Sequence, residues 1–209
     1  RGLGDVYKRQ VMRLFSATGM LVLAVALLAP CRVLAGTSTR VAVVAQDLLK
    51  GFCNRGPLAS PRAAGIVPDV VRLFQRAYDL GVRHFLLFQD AHTPDAVEFL
   101  AYPPHCVAGT EGAQVIDELA PAPGEHLVKK TRYSGFYNTD LDGLLKREGV
   151  VEAHVVGVCT SICVMFTVAD LRNRDYEVVV YRVGVADFDP DAHRFALKHM
   201  EKILGARVE

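Results

Sequence analysis

The chain reads as an α/β domain, a parallel sheet layered between helices. Three observations predict this class. Short apolar runs of the kind that form buried parallel strands alternate with stretches of helical spacing. That alternation calls for helices on both faces of one sheet. The 209 residues, 51% of them hydrophobic, are enough for a single full core. No internal repeat, low-complexity stretch or second-domain boundary interrupts the pattern. A net charge of +1 and the absence of any basic block argue against a nucleic-acid partner.

Val41–Gln46 is an apolar run ending in Asp47 and reads as the first strand. Gly51 to Ser60 is rich in turn residues and reads as a loop. Pro61 fits the first turn of a helix capped by Ser60, and Ile66, Val67, Val70, Val71, Phe74 and Ala77 mark its buried stripe as far as Leu80. Gly81 ends it. Val82–Phe88 is the second strand, followed by Gln89 and Asp90. Ala91 to Gly112 is a long loop with three prolines, and long loops in compact domains carry function. A short helix is expected over Gly112–Leu119, a third strand at His126–Val128, and a helix at Thr139–Arg147. Val155–Val158 is the fourth strand. Cys159–Cys163 turns into a helix in which Val164, Val168 and Leu171 recur at one-turn spacing. Glu177–Tyr181 is the fifth strand, Pro190–Leu204 a helix with Asp189 as its cap, and Arg207–Glu209 the start of a last strand.

The N-terminal stretch has a different character. Residues 1–11 carry no apolar period and read as a non-native leader. Met12 is then the start. Arg13, the apolar run Met20–Leu28 and Val33-Leu34-Ala35 before Gly36 form the charged, apolar and small-residue regions of a secretory signal peptide over 12–35. The apolar run is short for a membrane span. The expectation is an exported protein, periplasmic or extracellular, with 36–209 as the mature domain, no stable membrane partner after cleavage, and cytoplasmic residence as the alternative. Cys53, Cys106, Cys159 and Cys163 remain after cleavage, and no disulfide is required of them.

In a parallel sheet covered on both faces, ligands bind beyond the carboxyl ends of the strands. Asp47, Asp90, Lys129 or Lys130, and Cys159 or Cys163 all follow predicted strands, so residues distant in sequence meet along one edge. A cysteine in the first turn of a helix faces unpaired N–H groups and the positive end of the dipole, which favours the thiolate. A thiol beside a carboxylate and an ammonium suits acyl transfer. Taken singly, each has a plainer reading as cap, solvated amine or buried hydrophobe. A second cluster joins Asp90 and His92, which share one side of extended chain, to Glu98 and His105 on the loop behind them. Two imidazoles with carboxylates suit zinc, iron or manganese rather than calcium. Phe52, Tyr102 and Tyr133 lie near both clusters as walls for a flat pocket. His84, His126, His154, His193 and His199 have no ligand spacing and read as structural or surface residues.

VVAQDLLKGF, FQDAH, YPPHCVAGTEG, KKTRYSGFYNTDLDGLL and VCTSICVMFTVADL, in that order, resemble the nicotinamidases of the isochorismatase-like cysteine hydrolases. The likeness covers about residues 40–208. It implies a three-layer fold with six mostly parallel strands and helices on both faces. It also implies a triad of Asp47, Lys130 and Cys163, and an oxyanion hole from the backbone N–H groups of Cys159 and Cys163, with a cis peptide before Cys159. One divalent metal, zinc first with iron or manganese as alternatives, would sit on Asp90, His92, Glu98 and His105. Phe52, Tyr102 and Tyr133 would surround the ring of a small-molecule amide, nicotinamide, hydrolysed to nicotinate and ammonia through a thioester. Another small-amide or ureido hydrolysis and a non-catalytic small-molecule binding protein are the alternatives, and a homo-oligomer is compatible with all three. Gln46 departs from the apolar residue usual before the aspartate. An export signal is unusual for a family tied to cytoplasmic NAD salvage.

Overall fold

A computed structural model describes residues 40–209; the leader, the export signal and its cleavage site lie outside the described residues. Six strands form one sheet: β1 (Val41–Gln46), β2 (His84–Asp90), β3 (His126–Lys130), β4 (Glu152–Val158), β5 (Glu177–Ala186) and β6 (Arg207–Val208). Their order is β3-β2-β1-β4-β5-β6, and every neighbouring pair is parallel. The sheet is wound outward in both directions from β1 and β4. The crevice between their carboxyl ends is therefore the topological switch point, where such sheets bind ligands.

The central strand shows why the fold is layered. Along β1 the side chains alternate between faces, and both faces are covered. Val41, Val43 and Ala45 pack with Val70, Val71 and Phe74 of α1 (Pro61–Asp79). Ala42 and Val44 belong to the opposite core, with Leu141 and Leu145 of α2 (Leu141–Arg147), Val168 and Leu171 of α3 (Met165–Arg172), and Ala196, Leu197 and Met200 of α4 (Pro190–Lys202). The caps follow the sequence. Ser60 accepts from the Arg62 N–H, and Asp189 accepts from the Asp191 N–H at 2.8 Å. No helix of the described residues is long and apolar enough to cross a membrane.

Several elements differ from the sequence reading. Gly51 to Cys53, the start of the expected loop, belongs to a one-turn helix, Lys50–Cys53. The helix expected over Gly112–Leu119 is instead two 3₁₀ turns, Glu111–Ala113 and Asp117–Leu119. Between them Val115 bridges Leu49, and the Ile116 N–H donates to the Leu48 carbonyl, so pairing with the end of β1 replaces helical bonding. β2 starts at His84 rather than Val82, and β3, β4 and β5 run longer than their apolar runs. One position where β4 pairs with β1 admits no side chain. Gly157 has φ +118°, and a Cβ there would stand 2.0 Å from the Gln46 carbonyl oxygen, so only glycine fits.

Candidate active site

Asp47 follows β1 in the left-handed region, φ 51°, a conformation aspartate tolerates better than most residues. Asp90 ends β2. Lys130 ends β3 in register with it. Of the two lysines, Lys129 is exposed and Lys130 is buried, because neighbours on a strand face opposite ways. Cys163 follows β4. The strand ends thus bring these residues together. Lys130 Nζ lies 2.8 Å from Asp47 Oδ2, 2.5 Å from Asp90 Oδ1, 3.0 Å from the Arg132 carbonyl and 3.6 Å from Cys163 Sγ. Atoms of Asp47, Asp90 and Cys163 all fall within 4.8 Å of one another.

The segment around Cys163 is not the regular helix start that the spacing predicts. After a cis peptide between Val158 and Cys159, Thr160–Val164 forms a π-helical turn, and α3 begins only at Met165. The turn is pinned from outside: Asp187 accepts from the Ser161 N–H at 2.6 Å, and Thr160 Oγ1 is 2.9 Å from His193 Nδ1. Cys163 is buried, and burial pushes its pKa well above the ordinary thiol value against the pull of Lys130, so the local preference of a helix start for the thiolate is opposed by desolvation. Burial, then Asp90, push the Asp47 carboxyl up to about 6 against the pull of Lys130. Burial opposes the charge of Lys130 as well, but the charges around it, the carboxylates of Asp47 and Asp90 among them, outweigh burial and push its pKa well above the ordinary lysine value. A cysteine beside a buried carboxylate of raised basicity is an arrangement in which the carboxylate can take the thiol proton.

The second cluster shares Asp90. The loop 91–107 folds back so that His92 bridges Val107, with the His92 N–H donating to the Cys106 carbonyl. Ligand atoms of Asp90, His92 and His105 lie within 4.8 Å of one another. Glu98, on a 3₁₀ turn over Val97–Leu100, places Oε1 3.9 Å from His92 Nε2 and 3.8 Å from His105 Nε2. The His92 ring is wholly buried, and neither of its nitrogens has a hydrogen-bond partner. His105 Nδ1 is 2.9 Å from the Pro103 carbonyl, which can only accept, so Nδ1 carries the proton and Nε2 presents a lone pair. Charge points the same way: the Lys130 ammonium is held by Asp47 and Asp90, and the Glu98 carboxylate stands by the two imidazoles in the same desolvated site. The orphaned imidazole, the fixed tautomer and the excess negative charge fit a divalent cation.

Between the clusters opens a cleft of about 300 Å³, its solvent mouth included. Phe52, Tyr102 and Tyr133 line it, as the sequence reading placed them. Leu58, Ile162 and Phe188 line it too and were not foreseen. Phe188 lies beyond the end of β5, so the strand-end rule finds it once apolar residues are admitted. Phe99 was also missed; its ring centroid is 5.4 Å from that of His92 and 5.5 Å from that of His105. Cys53, Cys106, Cys159 and Cys163 are all free and buried. His154 is structural, between Tyr181 at 2.8 Å and Glu152 at 2.6 Å.

Fold and site together define a class: a doubly covered parallel sheet with a cysteine, a lysine and two aspartates buried at its switch point. The chain belongs to the isochorismatase family, whose domain matches residues 41–208. Among curated relatives, it is 39% identical over 114 residues to an uncharacterized isochorismatase family protein, PncA, of Bacillus subtilis, covering 51% of this chain and 62% of that one. It is 36% identical over 98 residues to the ureidoacrylate amidohydrolase RutB of Agrobacterium fabrum, covering 46% of this chain and 43% of that one. The matches thus span less than two thirds of these relatives. Solved structures are matched over nearly their whole length. The nicotinamidase PncA from Bacillus subtilis superposes with a TM-score of 0.76 at 32% identity, covering 81% of this chain and 98% of that one. A pyrazinamidase of Pyrococcus horikoshii in complex with zinc superposes with a TM-score of 0.75 at 26% identity, covering 81% and 98%.

Proposed function

We propose that this protein is a metal-dependent amidase that hydrolyses nicotinamide to nicotinate and ammonia. The observation that carries the reading is the cleft itself. It is walled by Phe52, Tyr102 and Tyr133, it is lined as well by Cys163, Asp90 and His105, and it has no arginine or lysine among its described lining residues. A flat, uncharged ring with a carboxamide suits such walls. A ureido acid carries a carboxylate, and Lys130, the nearest buried cation, is already held by Asp47 and Asp90. The likeness to a nicotinamidase and to a zinc-bound pyrazinamidase supports the same reading.

Cys163 Sγ attacks the carboxamide carbon while Asp47 takes its proton. Lys130, 3.6 Å from the sulfur, stabilises the negative charge that develops there. Backbone N–H groups of the Cys159–Cys163 turn receive the oxyanion. The proton on Asp47 passes to the leaving nitrogen, ammonia departs, and a thioester remains. Asp47 then deprotonates a water that cleaves the thioester, restoring the thiol and releasing the carboxylate. Asp90, His92, His105 and Glu98 would hold a divalent ion, which supplies a Lewis-acidic anchor for a ring nitrogen. Zinc fits these nitrogen and oxygen donors, and iron and manganese suit them as well.

The test is ammonia release from nicotinamide, benzamide and ureidoacrylate, beside elemental analysis of the protein. Benzamide lacks the ring nitrogen, and an unmatched polar site discriminates by up to about 10⁴-fold. Nicotinamide is expected to lead by at least about 10²-fold in kcat/KM. Metal-free protein that hydrolyses both amides equally, or a preference for the ureido acid, overturns the reading.

A further inference from the structure

One buried chain of hydrogen bonds reaches Asp47 from outside both clusters. The Gly135 N–H donates to Thr167 Oγ1 at 3.0 Å. Thr167 Oγ1 lies 2.9 Å from Gln46 Oε1, and Gln46 Nε2 lies 2.7 Å from Asp47 Oδ2. Gln46, Asp47 and Thr167 are all fully buried. The direction of the chain is fixed by its last link. The Asp47 carboxylate, when ionised, can only accept, so the Gln46 NH₂ faces it, Gln46 Oε1 faces Thr167 and takes the hydroxyl hydrogen, and the Gly135 N–H fills a lone pair of the same hydroxyl. The reverse orientation of the amide would put a carbonyl oxygen against Asp47.

We propose that Gln46, held by Thr167, is a positioning residue that fixes the rotation of the Asp47 carboxylate relative to Cys163. The proposal rests on the reading of Asp47 as the base for Cys163. Three donors then define the carboxylate: Gln46 Nε2 and Lys130 Nζ on Oδ2, and the Asp90 N–H on Oδ1 at 3.1 Å. Lys130 also serves Asp90 and approaches Cys163, so it does not hold the plane alone. Thr167 stands one helical turn beyond Cys163, so the link ties the carrier of the nucleophile to the carrier of the base. Fixed orientation of this kind acts on the chemical step more than on substrate binding.

Four variants test it: Gln46→Leu, Thr167→Val, Thr167→Ser, and the double Gln46→Leu/Thr167→Val. The first measurement needs no substrate, being the rate of Cys163 alkylation by iodoacetamide, followed by peptide mass. The second is kcat and KM on whichever amide the unaltered protein hydrolyses best. Gln46→Leu and Thr167→Val should each slow alkylation and lower kcat by about tenfold, with KM within about twofold. Thr167→Ser keeps the hydroxyl and should stay within about twofold of the parent. The double variant should be no slower than either single one, because both break the same chain. Equal rates for the valine and serine variants, or losses that add in the double, overturn the proposal. Thr167→Val is nearly isosteric, so the Val/Ser pair decides the matter if Gln46→Leu fails to fold. A protein inert toward nicotinamide overturns the substrate reading, while the alkylation rates still decide the role of Gln46.

Discussion

A roomier cleft than the one at the switch point runs along α1, and it carries the poorer chemistry. That groove encloses about 1590 Å³, against about 300 Å³ at the switch point, both with their open mouths. Val67, Pro68, Val71 and Leu80 line it, together with the thiol of Cys53. Burial, then Glu118, push Cys53 up to about 12. Cys163 is as deeply desolvated, yet it has an ammonium 3.6 Å away and a carboxylate of raised basicity beside it. The difference teaches that space is a poor guide to reactivity. Convergence of buried, opposed charges on one thiol is the better one.

Removing each thiol in turn gives the largest expected contrast. Cys163→Ala should lower amide turnover by at least about 10³-fold, Cys159→Ala by less than about tenfold, and Cys53→Ala by less than about twofold. Ammonia release from the three purified variants, with circular dichroism to verify folding, makes the comparison. A Cys163→Ala protein with parental turnover would sink the assignment of the nucleophile.

A smaller effect concerns the orphaned imidazole. His92→Ala and His105→Ala should each lose bound metal and lower kcat/KM for nicotinamide by about 10²-fold. Metal content and kinetics are measured on the same samples. Retained metal with retained activity in both variants would separate the ion from this cluster.

The smallest contrast lies outside both clefts. Glu125 accepts from the Ala122 N–H at 2.8 Å through Oε2, while its buried Oε1 has no partner. Burial raises its pKa from 4.5 to about 7. Between those values the folded chain holds a proton that the unfolded chain has released. Stability from this group is therefore present below pH 4.5 and is lost as pH rises through about 7. Glu125→Gln keeps the accepting oxygen and removes the charge. It should raise stability at pH 8 by about 1 kcal/mol, or about 2–4 °C in Tm, with little change at pH 4. Equal Tm differences at the two pH values would show that burial of this carboxyl is not what matters.

Much of this was legible in the sequence, for an identifiable reason. Strand ends are marked by an apolar run giving way to a charged residue, and Asp47, Asp90 and Lys130 stand at such breaks. Strand lengths were less legible. β5 continues past Tyr181 through exposed Arg182 and Val183, which break the apolar run without breaking the ladder. The 112–119 segment misled because Ala113, Ile116 and Leu119 have helical spacing, while the bridge to Leu49 that overrides it joins residues far apart in sequence. The upward push on the Cys163 pKa was out of reach for a different reason. Local position at a helix start suggests a thiolate, whereas the opposing effect, desolvation by the surrounding fold, has no local signature. Gln46 was visible only as an oddity. Its partner Thr167 lies 121 positions away, and nothing in either residue announces the other.

Gly157 carries a consequence for how this chain can vary. Because β1 and β4 meet there main chain to main chain, the spacing between the carriers of base and nucleophile is gauged by peptide bonds rather than by side-chain bulk. The cores on either face can then drift in composition, trading one aliphatic for another, without detuning the reacting groups. The freedom ends at this single glycine, where one added methyl group would force the strands apart at the point on which the chemistry depends.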